Sequence, residues 1–235
     1  MQPSGGARRE PRQGQVRTHR ARSILQATGD KLEWVKIGLQ TYLRDGPDFV
    51  REVADSGKNV FLDLKLYDIP NTMEKALESL ANLPIGMLTL HASAGPEALR
   101  RCAQFAEESM PDVLLLAVTV LTSMDQETLS SIGVDSSVDK QVNRLASLAA
   151  GSGIGGIVCS PLELSKLRPL LPQSVKLVTP GIRPSGSQTG DQKRIMTPAE
   201  AREAGADYLV IGRPILAHEK PAVALDGIQN ELNQL

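Results

Sequence analysis

From Ile24 to its C-terminus the chain repeats one unit, a short apolar run followed by a longer amphipathic stretch. Runs at 34–37, 60–64, 87–91, 113–120, 156–159, 176–179 and 208–211 have strand length and are dominated by aliphatic residues. The stretches between them carry proline at Pro47, Pro70, Pro96, Pro161 and Pro198, first-turn positions where a helix loses nothing with the missing N–H. Some close on a glycine (Gly57, Gly151, Gly205) that supplies a left-handed cap. Strands alternating with helices in this way build a parallel sheet covered by helices.

Eight such units close a TIM (β/α) barrel, and seven strands are recognisable here. The absent strand belongs before Trp34, as does most of its helix, of which residues 23–30 are the tail. Nothing in residues 1–22 reads as a strand. They hold Arg8, Arg9, Arg12, Arg17, Arg20 and Arg22 against the single acid Glu10, with Pro3 and Pro11, and show neither helical nor strand periodicity. A disordered basic segment is expected over 1–22 and one barrel domain over 23–235, since no linker divides the rest.

Composition narrows the partners. A formal net charge of -1 over 235 residues gives no reason to expect nucleic acid. Aromatics are 3% of the chain, so the core must be aliphatic, as in most parallel sheets. No apolar run approaches a membrane span, and the start lacks the apolar centre of a signal peptide, so a cytoplasmic protein is predicted. Cys102 and Cys159 stand far apart in apolar surroundings and are expected to be buried and reduced.

The most informative segment is Val60-Phe61-Leu62-Asp63-Leu64-Lys65-Leu66-Tyr67-Asp68-Ile69-Pro70-Asn71-Thr72. Side chains alternate along a strand, so Asp63 and Lys65 share one face while Leu62 and Leu64 take the other. In a barrel the leucines meet the helices and the charged pair points inward. Inward charges are costly unless paired, and the C-terminal mouth of a barrel is where active sites sit. Asp68 follows in the loop at that mouth. Lys36, near the end of the 34–37 run, is either a lysine reaching the rim or a third member of this charge array. His91 either borders the site or is a core or rim histidine, the two readings equally open.

A further cluster lies late in the chain. Thr179-Pro180-Gly181-Ile182-Arg183-Pro184 ends one strand, and Gly212-Arg213-Pro214 leads from the last strand into a helix. Loops after the last two strands of such a barrel, meeting a helix N-terminus, commonly hold phosphate. Gly212 permits close approach of the backbone to an anion, and Arg213 offers a forked donor.

Asp63-x-Lys65-x-x-Asp68-Ile69-Pro70-Asn71-Thr72 resembles the signature of orotidine 5′-monophosphate decarboxylases. The likeness runs from about Trp34 to the C-terminus, through Leu90-His91-Ala92-Ser93, Val118-Thr119-Val120-Leu121-Thr122-Ser123-Met124, Thr179-Pro180-Gly181-Ile182-Arg183-Pro184, Gly190-Asp191-Gln192 and Gly212-Arg213-Pro214-Ile215. The Asp-x-Lys-x-x-Asp core is shared with sugar-phosphate aldolases and epimerases on the same barrel, whereas the Ile-Pro-Asn-Thr extension is much more specific.

The resemblance implies conversion of orotidine 5′-phosphate to UMP and CO2 in pyrimidine biosynthesis, with no metal or organic cofactor. It implies a homodimer with shared active sites. Lys36, Asp63 and Lys65 come from one subunit, and Asp68, Ile69 and Thr72 reach into the partner's site. Thr122 lies by the pyrimidine, while Pro180, Arg183, Gln192, Gly212 and Arg213 line the substrate and its phosphate, under a lid over 184–192. The family's first strand supplies a ribose-binding aspartate that no residue here matches. An N-terminally truncated, inactive relative is the alternative this departure raises.

Overall fold

The computed structural model describes residues 13–184 and 196–233. Among them, seven strands lie in sequence order in one sheet: β1 (Trp34–Gly38), β2 (Asn59–Leu66), β3 (Met87–His91), β4 (Leu114–Val118), β5 (Gly156–Val158), β6 (Lys176–Pro180) and β7 (Tyr208–Val210). Each is parallel to the next. The α/β barrel expected from the sequence is present, one strand short of closure, with all seven strands where the apolar runs put them. Helices connect successive strands, as parallel neighbours require.

Alternation along the strands sorts the side chains into two cores. Phe61, Met87, Leu116 and Val178 point into the barrel, with Trp34, Leu114, Val158, Tyr208 and Val210 packed on them. Their neighbours Ile37, Leu62, Leu88, Leu90, Leu115, Ile157 and Leu177 face outward and join the larger core under the helices. Helix Pro70–Leu80 meets that core with Met73, Leu77 and Leu80, spaced by four and three residues as a buried helical stripe demands. Helix Val138–Gly151 does the same with Val142, Leu145, Ala146 and Ala149, and Ser137 caps it by accepting from the Lys140 N–H.

Pro47 opens the second of two helical segments within Leu39–Asp55, which meet at the non-helical Gly46 (φ 68°, ψ −164°), as its first-turn position predicts. Two sequence expectations are corrected. Gly151 is the last residue of its helix, and the left-handed turn falls two residues later, at Gly153 (φ 88°). The second concerns the basic N-terminal stretch, expected to be disordered over 1–22. Helix Gln13–Thr28 occupies its second half, while residues 1–12 lie outside the described residues.

Long-range partners hold that helix. Arg22 grips Glu52 through two hydrogen bonds of 2.5 and 2.7 Å, Thr18 donates to Asp45 at 2.9 Å, and Arg20 donates to the Leu216 carbonyl at 2.7 Å. Exposed pairs add little to stability, so the anchor is the burial of Ile24 and Thr28, with Ala21 and Leu25 against the core. The helix also packs on helix Pro221–Asn233. Between β1 and β7, which share no ladder, lies a cavity of about 630 Å³ lined by Leu32, Trp34, Tyr208, Ile211 and Leu225 among others.

Candidate active site

At the C-terminal end of β2 the Asp63 carboxylate is enclosed by three donors. Lys36 Nζ reaches one oxygen from β1 at 3.0 Å; Lys65 Nζ reaches the other at 2.6 Å. The Thr89 hydroxyl, on β3, donates to that second oxygen at 2.9 Å. Asp63 is 8% exposed, whereas the two lysine side chains keep about a third of their surface (35% and 36%) and are open to a substrate. Burial pushes the Asp63 carboxyl up, but the charges of Lys36 and Lys65 and their hydrogen bonds outweigh it and hold the carboxyl below its usual range. The inward array read from alternation is therefore formed, and Lys36 belongs to it. Gly38 makes room for this lysine, since a Cβ there would stand 3.3 Å from Lys36 Nζ.

Lys65 has a positive φ of 53°, the sole such value outside glycine among the described residues. A lysine held there costs about 1–3 kcal/mol unless its surroundings impose it. The cause lies in the β2–β3 ladder. Leu62 pairs with Leu88 and Leu66 with Leu90, so four steps along β2 face two along β3 and the chain must bulge between them. The displaced Lys65 N–H bonds to the Thr89 hydroxyl at 2.9 Å instead of a strand carbonyl. Thr89, which is 1% exposed, was not singled out in the sequence; a hydroxyl on the inward face of Leu88-Thr89-Leu90 was the signal.

His91 ends β3 at the mouth, half-buried and tilted against Tyr67 with ring centroids 5.6 Å apart. Burial lowers its pKa below 6.5 and the Lys65 charge lowers it further, outweighing the pull of Asp63, so the neutral ring is favoured. Asp68, Ile69 and Thr72 are exposed and none joins the Asp63 cluster. Asp68 accepts from the Ile69 N–H at 2.8 Å, just ahead of helix Pro70–Leu80.

On the far side of the mouth, Thr122 sits half-buried in the turn after β4, and Pro180 ends β6. Arg183 is buried, donating to the Ile182 carbonyl, and its N–H bonds to Met196, which fixes the loop after β6. Gly212 precedes the short helix Arg213–Leu216, with Arg213 exposed. Among the described residues, a Cβ on Gly212 would meet no atom within 4 Å. Gln192 and the lid expected over 184–192, Pro184 apart, lie outside the described residues. Among those described, no three His, Cys, Asp or Glu are grouped to hold a metal ion.

The chain resembles known proteins. The family model for "Orotidine 5'-phosphate decarboxylase / HUMPS family" matches residues 16–228. An orotidine 5'-phosphate decarboxylase from Opitutus terrae is 53% identical over 209 residues, 89% of this chain and 91% of that protein. The enzyme of the same name from Vibrio campbellii is 49% identical over 199 residues, 84% and 85% of the two chains. Among solved structures, orotidine 5'-phosphate decarboxylase from Lactobacillus acidophilus superposes with a TM-score of 0.81 at 34% identity, covering 92% of this chain and 94% of its own.

Proposed function

The chain belongs to the orotidine 5′-phosphate decarboxylase / HUMPS family, and from that membership we propose that it converts orotidine 5′-monophosphate to UMP and CO2. The observation that carries the reading is the array Lys36–Asp63–Lys65, one buried carboxylate held between two accessible ammonium groups at the barrel mouth.

Breaking the bond from C6 to the carboxylate leaves its electron pair on C6, in an orbital the ring π system does not reach. Stabilisation must come from charges already in place. Lys65 faces that carbon and hands it a proton as CO2 departs, later regaining one from solvent. Asp63 stands against the substrate carboxylate, so its repulsion is relieved as CO2 leaves. Lys36 keeps Asp63 ionised and oriented. The phosphate is held by Arg183, Gly212 and Arg213 with Gln192, and Thr122 and Pro180 border the base. No cofactor enters the scheme.

A homodimer completes the site. Asp68, Ile69 and Thr72 are exposed and stand outside their own cluster, which supports a role for them in a second subunit's site. Leu39 and Leu43, which follow β1, and Tyr67 and Ile69, which follow β2, are large apolar side chains left exposed. No helix among the described residues is long and apolar enough to cross a membrane, in keeping with a cytoplasmic enzyme.

The test is the ultraviolet absorbance change on loss of orotidine 5′-monophosphate, with Lys65→Ala as control. Turnover that disappears in the variant is the expected result. A folded dimer with no turnover would sink the proposal and leave an inactive relative whose gap between β1 and β7 has cost it the reaction.

A further inference from the structure

We infer that Thr89 is a positioning residue for Lys65, its single hydroxyl setting both the backbone and the carboxylate against which the lysine is aimed. The inference rests on the decarboxylase reading for its kinetic arm alone. Thr89 lies on β3, two residues before His91, and is almost fully enclosed in the barrel. Its Oγ1 accepts the Lys65 N–H at 2.9 Å and donates to Asp63 Oδ1 at 2.9 Å. The same Asp63 oxygen accepts Lys65 Nζ at 2.6 Å. One hydroxyl thus closes a ring running from the Lys65 backbone through Thr89 and Asp63 to the Lys65 ammonium.

Two features make this more than packing. The bulge between Leu62 and Leu66 takes the Lys65 N–H off the regular ladder, and a buried N–H without an acceptor is costly. Thr89 supplies that acceptor, and the conformation it holds is the left-handed one that a lysine does not adopt unaided. Relaxing that residue swings the side chain from the barrel axis. The hydroxyl proton also has only one useful direction, because the oxygen already accepts from Lys65, so it must point at Asp63. Donor and acceptor roles are both fixed, and with them the rotamer of Asp63.

Thr89→Val keeps the size and β-branching of the side chain and removes only the hydroxyl. With selectively labelled lysine, the Lys65 side-chain resonance should move in Thr89→Val and return in Thr89→Ser. In turnover, kcat should fall by about 10- to 100-fold in the valine variant with KM within about 3-fold, and recover in the serine variant, since misplacing a reacting group by about 1 Å costs rate on that scale. If Thr89→Val does not fold, Thr89→Ala against Thr89→Ser isolates the same oxygen. An unmoved Lys65 resonance in the variants lacking the hydroxyl overturns the inference. So does a serine variant that fails to restore it, because packing is then the whole role. Wild-type protein without turnover would refute the decarboxylase reading, while the lysine resonance would still decide the role of Thr89.

Discussion

Trp34 on β1 and Tyr208 on β7 meet edge to face across the opening of the barrel, with ring centroids 5.8 Å apart and planes at 72°. These strands share no hydrogen bonds, so the contact is made by side chains inside a sheet that does not close. Trp34 also lies over Gly86, where an added Cβ would stand 2.8 Å from the ring. Two of the chain's few aromatics are thus spent on the bottom of the gap.

Trp34→Ala should therefore destabilise the fold by about 2–3 kcal/mol, the lower end for a large aromatic because the ring is only half-buried. Urea unfolding measures this. The variant should also bind an apolar dye more strongly than the parent, since the gap widens and the two unpaired edges are freer to associate. An unchanged midpoint would mean the helices alone hold β1 and β7 in place.

Asp63 makes stability depend on acid in a predictable sense. Its folded-state pKa lies below the ordinary 3.8, so the unfolded chain binds the proton more readily. Its contribution is complete above about pH 4 and is lost as pH falls through the folded value. Asp63→Asn should cost about 2 kcal/mol at pH 7, discounted for the partial exposure of both lysines. As pH falls below about 4 the gap between parent and variant should narrow. A gap independent of pH would show that the carboxylate is not held by Lys36 and Lys65.

The same alternation that put Asp63 and Lys65 on one face could be read from residues 60–66 alone, because apolar neighbours fix which face is buried. Lys36 needed the barrel before it joined them. Other features depend on contacts far along the chain. The bulge at Lys65 is a mismatch between β2 and β3 that neither strand reveals by itself, and Thr89 gains its meaning only from that mismatch. Helix Gln13–Thr28 was hidden for a similar reason. Its apolar stripe is sparse, and Thr18, Arg20 and Arg22 look like a solvated tail until Asp45, Leu216 and Glu52 are brought beside them.

His91 should report on Lys65. Burial holds the neutral ring, and the nearby ammonium adds to this, so its titration midpoint should lie below 6.5. Because the folded value is depressed, stability from the neutral ring is present above about pH 6.5 and lost as pH falls through the folded midpoint. Replacing Lys65 with alanine removes one cause and should raise the midpoint without restoring it fully. Proton resonances of the imidazole ring follow this directly. A midpoint that ignores the substitution would place His91 outside the electrostatic reach of the site.

The rim of the mouth makes a prediction about assembly. Leu43, in the helix after β1, is 75% exposed and Ile69, in the loop after β2, 66%, side chains of a size that the core otherwise absorbs. If two copies bury these residues against each other, Leu43→Glu and Ile69→Glu should each shift sedimentation from dimer to monomer. Neither residue supports its own fold, so thermal unfolding of the monomer should remain cooperative. Activity should fall with the dimer and recover in part at high protein concentration, where mass action restores the shared site. A parent protein that sediments as a monomer yet turns over substrate would sink this account, because Asp68 and Thr72 would then have no site to enter.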